Sequence, residues 1–395
     1  MKRVAIVAGG VNKWGKRAAT FRQLVQEAGK VCFDSYSNIS NKDIQGFILA
    51  TAYSERTAIQ IHPASFMAQV LGVHPTKLYM RVENQCASGT TALRTAWWAI
   101  ASGYVDMVMC VGAEKLLIPS HDEIFFNASS ATDKEWEGCF GMNPPSLFAM
   151  VAQAHMRKYG TTEEQLGKVA LKNHAHATKT PYAHHYERYQ KHGKVSLETI
   201  MCSKVVSSPL KLFDCCTNTD GAAAIILASE EKAKELTDKP VYLLGTGQVC
   251  LNGSWGAAHK DWSEWPALKL AAKQAYEMAG VKPEDIDLAE IHDCFSISEI
   301  IETEEFGWCK KGEGGKFVEN GLSDYGGQIV INPRGGLIAC GHPFGATGIA
   351  QAYEIFLQLR DEAGERQVKD AKIALNHNLS GLGEHHVIIY KSGVD

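Results

Sequence analysis

Cys86 is followed at once by Ala87, Ser88, Gly89, Thr90 and Thr91, and then by Ala92, Leu93, Ala96, Trp97, Ala99 and Ile100. Apolar residues on nearly every side predict a helix buried on most of its faces, with a thiol at its head. A thiol there meets unpaired backbone N–H groups and the positive end of the helix dipole, which favour the thiolate that attacks carbonyl carbon. Read alone, Cys86 is more simply a small core cysteine, because a nucleophile needs a base beside it. In Gly341-His342-Pro343 an imidazole sits on a glycine-flanked turn ahead of a second apolar run. Alone, it reads as well as a capping or core histidine. Together the two supply a base and a covalent acyl carrier, the parts of acyl transfer through a thioester.

Two more polar turns carry candidate groups. His292-Asp293-Cys294-Phe295 closes an apolar strand. His292 can donate a hydrogen bond to a developing oxyanion, and Cys294 can move protons as a second thiol. The plainer alternative is a strand-end turn with a buried cysteine. Asn376-His377-Asn378 leads into the turn Gly381–Gly383, and reads equally as a structural turn or a catalytic part.

The elements that must position these residues occur twice. Val4–Val7 is a short strand ending in Gly9-Gly10, Ile44–Ala50 a second, Leu78–Val82 the strand that delivers Cys86, and Asp106–Gly112 the next. Ala222–Ala228 closes this series. After Pro240 the order restarts: Val241–Gly247 parallels Val4–Gly10, and Ile286–His292 parallels Ile44–Ala50. Ile338–Leu359 then parallels the Cys86 stretch, Ile373–Asn376 the Asp106 strand, and His386–Tyr390 the Ala222 strand. Strands alternating with helices indicate an α/β unit with a mainly parallel sheet, here duplicated. Between the strands, Lys115 to Leu212 is crowded with aromatic, His and polar residues and has two clear helical stretches, Pro145–Tyr159 and Thr162–Thr178. The expected organisation is a first half over 1–114, an inserted loop domain over 115–212, the end of the first half over 213–239, and a second half over 240–395. Glu313–Gly327 reads as a long surface loop.

Composition narrows the function classes. A net charge of −4 without a Lys/Arg block argues against nucleic acid. No apolar run nears the ~20 residues that span a bilayer, and Met1–Gly10 runs straight into a strand with no signal-peptide pattern. Eleven scattered cysteines fit reduced thiols in a cytoplasm. No CxxC or HExxH spacing appears, so the His-dense stretch His174, His176, His184, His185, His192 reads as a solvated insertion rather than a metal site. GxGxxG and GK[ST] spacings are absent. Gly253–Trp265 is a candidate acyl-pocket wall.

CASG at Cys86, HDCF at His292 and GHPFGATG at His342, in that order along the full length, resemble the thiolases. The stretch Lys172–Ala183, HDCF in place of NEAF, and NHNLSGLG without a cysteine resemble the sterol-carrier-protein-2 type. The resemblance implies a duplicated five-layer αβαβα fold with an inserted loop domain. It implies that Cys86 is acylated, that His342 activates it, and that His292 holds a thioester oxygen. Cys294 would act as acid/base in place of the missing cysteine, with His377 as the other candidate. The implied activity is thiolysis of a 3-oxoacyl-CoA or the reverse Claisen condensation, with CoA as substrate and no redox cofactor or metal. The aromatic-rich insertion tilts the acyl group toward bulky or aromatic types such as 2-benzoylsuccinyl-CoA, the alternative being acetoacetyl-CoA. A ketoacyl or polyketide-type synthase is the runner-up, set back by the GHP motif, and a non-catalytic acyl-CoA scaffold is a third reading. Implied partners are a second copy of the chain, as a homodimer or larger, and a separate zinc-ribbon/oligonucleotide-binding-type subunit.

Overall fold

Alternation of small and branched apolar residues builds strands that are buried on both faces. In the strand Val4–Val11, Val4 and Ile6 join one hydrophobic core and Ala5 and Val7 another, and a break in register between Ile6 and Ala8 leaves Ala8 with Val7. Met107–Glu114 and Gly221–Ser229 divide their residues between the same two cores, as the two-residue period of a strand requires.

The computed structural model describes residues 1–36, 38–118, 129–254 and 260–393. Its strands in chain order are β1 (Val4–Val11), β2 (Gly46–Ala50), β3 (Leu78–Val82), β4 (Met107–Glu114), β5 (Val205–Ser207) and β6 (Leu210–Lys211). There follow β7 (Gly221–Ser229), β8 (Val241–Cys250), β9 (Leu288–Glu290), β10 (Val330–Ile331), β11 (Ile373–Gly381) and β12 (Glu384–Ser392). All but the β5–β6 hairpin form one mixed sheet of order β10-β9-β11-β12-β8-β1-β7-β4-β2-β3. That order is a palindrome of equivalent strands, each half supplying five. The halves meet where β1 runs antiparallel to β8, with Ala5 opposite Tyr242 and Ile6 opposite Val241.

Helices fill the layers between and outside. Phe21–Ser35, begun by a capping box of Thr20 with Gln23, covers the outer face of the first half. Pro266–Ala279 covers β8 and β12 of the second. Ser88–Ala101 and Phe344–Gln358 lie side by side in the middle layer, with nine and twelve of their residues buried. This is the duplicated α/β fold expected from the repeated strand order. The middle helices come so close to the sheet that a Cβ on Gly112 of β4 would lie 2.1 Å from the Gly345 carbonyl oxygen. Gly89 and Gly348 face the partner helix under the same constraint, so the glycines of CASG and GATG are contact points before they are anything else.

Three expectations change. The sheet expected to be mainly parallel is mixed, with antiparallel pairing of β1 with β7 and β8, of β4 with β7, and of β12 with β8 and β11. Glu313–Gly327 is not simply a surface loop, because it contains the helix Gly314–Glu319 with Phe317 and Val318 buried. A Cβ on Gly314 would stand 2.2 Å from the Ile300 carbonyl oxygen, so glycine there serves close packing rather than looseness. The strand beginning at Ile373 does not stop at Asn376 but carries His377 and Asn378 within it to Gly381. No helix among the described residues is long and apolar enough to cross a membrane, and none of the eleven cysteines is in a disulfide.

Candidate active site

Strand β3 ends at Val82, and the chain turns through Gln85, whose φ of +46° is one that side-chain-bearing residues seldom adopt. Its backbone N–H is held by Glu83 Oε1 at 2.6 Å. This turn presents Cys86 just ahead of the helix Ser88–Ala101. From the other half, a buried turn Gly336–Cys340 leads through Gly341 to His342 and the helix Phe344–Gln358. Asp293 ties that turn to the HDCF motif by accepting the N–H groups of Leu337 and Ile338 at 2.7 and 3.3 Å. Residues 215–219 lace the two motifs together. Cys216 N–H donates to the Cys294 carbonyl at 2.8 Å, and His342 N–H to the Thr217 carbonyl at 2.9 Å.

The result is that His342 Nε2 lies 3.2 Å from Cys86 Sγ. The proton positions follow from the neighbours. Thr347 Oγ1 donates to the Pro343 carbonyl at 3.0 Å, so at its 2.7 Å contact with His342 Nδ1 it accepts. Nδ1 therefore carries the proton, and the Nε2 lone pair faces the thiol.

Burial decides the charges. It pushes the Cys86 thiol well up from its ordinary value, and the Glu114 and Glu83 carboxylates add to the effect. Burial likewise holds His342 well below the ordinary imidazole range, helped by His292 and Arg334. The resting pair is thus thiol and neutral imidazole. Desolvation in this pocket opposes the thiolate that the helix end alone would favour.

Cys86, His292, Cys294 and His342 all line one cavity of about 60 Å³. Its apolar wall is Tyr53, Phe148, Phe295, Phe344 and Leu379. His292 is fully buried, and its Nε2 has no hydrogen-bond partner among the described residues. Burial lowers its basicity further, together with His377 and His385. The Cys294 thiol, 5% exposed, is raised well above its ordinary value by burial and by Cys216 and Cys86. Cys216 is a third thiol on the same wall.

His377 does not line the cavity. Its Nε2 meets His385 Nδ1 at 3.0 Å and its Nδ1 lies 3.1 Å from Glu302, a buried cluster behind His292. The His-dense stretch disperses in the same way. His174 pairs with Tyr189, His176 with Asp324 and the Asn332 carbonyl, and His184 with Thr219. Of the aromatic residues between Lys115 and Leu212, only Phe148 among those described reaches the cavity. Tyr182 packs instead against Trp14, with ring centroids 5.7 Å apart. In Gly253–Trp265, residues 255–259 lie outside those described. Gly253 borders the adjoining cleft with Gln85 and Ser380, whereas Trp265 is fully buried beside His385.

Sequence reasoning missed Thr347, Glu114 and Cys216. Glu114 is wholly buried and accepts from Thr51, from the N–H groups of Ala52 and Tyr53, and from the N–H of Gly345. It fastens the start of the His342 helix to β2 and β4. The only sequence signal was an acidic residue ending an apolar strand.

Comparison with known proteins gives a consistent result. Residues 4–231 match the model "Thiolase, N-terminal domain", and residues 253–392 match "Thiolase C-terminal domain-like". The chain is 41% identical to an acetyl-CoA acetyltransferase of Methanothermobacter thermautotrophicus, over 97% of each chain. It is 37% identical to sterol carrier protein 2 of Bos taurus, covering 99% of this chain and 72% of that one. Among solved structures, one titled "Ltp2-ChsH2(DUF35) aldolase" superposes with a TM-score of 0.84 at 24% identity, covering 100% of this chain and 98% of the other.

Proposed function

The chain belongs to the thiolase family and is an acyltransferase acting on CoA thioesters, and from that premise we propose that it cleaves or forms small 3-oxoacyl-CoA substrates through an acyl group on Cys86. The observation that carries this reading is the 3.2 Å approach of His342 Nε2 to Cys86 Sγ, with Thr347 fixing the tautomer.

In the cleavage direction, His342 takes the Cys86 proton as Sγ bonds to the 3-oxo carbon. The tetrahedral adduct collapses and the C2–C3 bond breaks, leaving the shortened acyl group on Cys86 while the electron pair departs on C2 as the enolate of acetyl-CoA. His292 Nε2–H donates to its thioester oxygen. Cys294, kept as a thiol by burial, protonates C2 and is left as thiolate. An incoming CoA thiol gives its proton to Cys294 and attacks acyl-Cys86, whose sulfur leaves and regains its proton from His342. Every group returns to its starting state, and no redox step or metal enters the balance. Condensation is the same sequence reversed.

A cavity of about 60 Å³ beside the nucleophile supports a small acyl group such as acetyl. Among the described aromatics of the insertion, only Phe148 lines this cavity. A panel of 3-oxoacyl-CoA substrates tests this: acetoacetyl-CoA is expected to give the highest kcat/KM, and preference for an aromatic 3-oxoacyl-CoA by tenfold or more would overturn it.

The proposed assembly is a homodimer across β3. This strand ends the sheet, is only partly buried, and exposes Tyr79 beside His62 and Phe66. An open, partly apolar edge is a pairing surface. Light scattering should return twice the mass of the chain, and a monomer at micromolar concentration would contradict it. A separate zinc-ribbon subunit is proposed as a further partner, supported by the ChsH2(DUF35) protein named with the superposable aldolase. Activity gained on adding such a subunit supports this, and a zinc-free homodimer gaining nothing removes it.

A further inference from the structure

Behind His292 lies a run of side-chain amides whose orientations can be read from one end. The Ile291 carbonyl can only accept, and Gln351 Nε2 lies 3.1 Å from it. Gln351 Oε1 is thereby turned toward Asn376 and Asn378, and accepts from their Nδ2 groups at 2.9 and 2.8 Å. Asn378 Oδ1 accepts from the Thr90 hydroxyl. One Nδ2 proton of Asn378 is used on Gln351, and the second points at His292 Nδ1, 2.9 Å away. His292 Nδ1 must therefore present a lone pair. In a neutral ring the proton is then on Nε2, the atom that has no hydrogen-bond partner among the described residues, on a ring that lines the cavity.

We propose that Asn378 and Gln351 are positioning residues that lock His292 as the Nε2–H tautomer, so that it donates to the substrate's thioester oxygen. This rests on the proposed role of His292. The relay has a second consequence. The donor atoms of Cys86, His292 and His342 lie within 4.8 Å of one another, a soft-metal donor set by type and spacing. A His292 Nε2 that carries a proton cannot ligate, so the same relay that makes the oxyanion donor leaves this set one ligand short.

The substitution Asn378→Asp reverses the bond, because a carboxylate accepts at Nδ1–H and leaves Nε2 without its proton. We expect kcat to fall about 10²-fold, the worth of one oxyanion donor, with KM changed less than threefold. In a His292→Asn background the donor is an amide with no tautomer to lose, and there Asn378→Asp should cost less than threefold. An equal fall in both backgrounds, or a fall below threefold in the parent, overturns the relay. The tautomer is also measurable without any change to the relay. In ¹⁵N-histidine-labelled protein, with His292 assigned by its loss in His292→Asn, the ring should be neutral and protonated at Nε2. Protonation at Nδ1 overturns the proposal even if the Asp variant does not fold. His292→Ala separates the two readings: turnover unchanged there removes the oxyanion role, whereas the nitrogen spectrum judges the relay alone.

Discussion

Thr347 is the residue on which the proposed base, His342, depends, and Thr347→Val tests that dependence with little change of shape. Valine keeps the branched side chain on the first turn of the Phe344–Gln358 helix and removes only the hydroxyl. In the parent, that hydroxyl accepts from His342 Nδ1 at 2.7 Å, inside a site where His342 is 1% exposed. Without it, the tautomer with Nδ1–H carries a buried, unsatisfied donor, a cost of about 1–3 kcal/mol. The competing tautomer places its proton on Nε2, toward Cys86, and cannot act as base. If that cost falls wholly on the competent form, acylation slows by roughly 5- to 150-fold. The hydroxyl's loss should lower the melting temperature by no more than about 4 °C. Rapid-quench mass spectrometry of Cys86 acylation by acetyl-CoA reads the rate. Thr347→Ser keeps the hydroxyl and should stay within about threefold of the parent. Acylation at parental speed in Thr347→Val, or equal slowing in Val and Ser, would refute the tautomer argument.

Three further outcomes follow from the same geometry. His342→Ala should slow acylation by ~10²-fold or more, the worth of a positioned base, while leaving acyl-CoA binding nearly unchanged by calorimetry; lost stability with normal activity of the folded fraction would make His342 structural. Cys294→Ala should spare Cys86 acylation by acetyl-CoA yet abolish exchange of the α-protons of acetyl-CoA into deuterated water, and persistent exchange would assign that proton to another group. Because His342 is depressed and Cys86 raised, the acid limb of acylation shifts below the ordinary imidazole value of 6.5 and the alkaline limb above the ordinary thiol value of 9.0. The single-turnover rate should be flat between those values, and an inflection near 6.5 would show a base that titrates normally.

Much of this site was legible in the sequence because each group sits at a strand end or on a glycine turn, where few alternatives compete. Cys86, His292, Cys294 and His342 were singled out that way, and all four line one cavity, while the palindromic sheet bears out the matched order of strands. The charge state of Cys86 was not legible. A helix start is visible in sequence, but the burial and the Glu114 carboxylate that reverse its effect depend on the fold. Thr347 is a common residue type with many uses, and only its contact with His342 singles it out; Asn378 was read only as part of the Asn376-His377-Asn378 turn, and its contact with His292 depends on the fold. The placement of the aromatic residues was not legible either, since Tyr182 packs on Trp14 and Phe148 lines the cavity, and composition does not say which way a side chain points. Glu313–Gly327 misled for a related reason, since glycine needed for close packing looks the same in sequence as glycine needed for a turn.

Three cysteines line the cavity, Cys86, Cys216 and Cys294, so the central claim reduces to which sulfur carries the acyl group. The most direct measurement is peptide mass spectrometry of the protein quenched in acid after brief incubation with acetyl-CoA. One acetyl group per chain is expected, on Cys86, discharged by added CoA and absent from a folded Cys86→Ala variant that no longer turns over. Acetyl on Cys216 or Cys294 instead, or turnover by Cys86→Ala within tenfold of the parent, would contradict it.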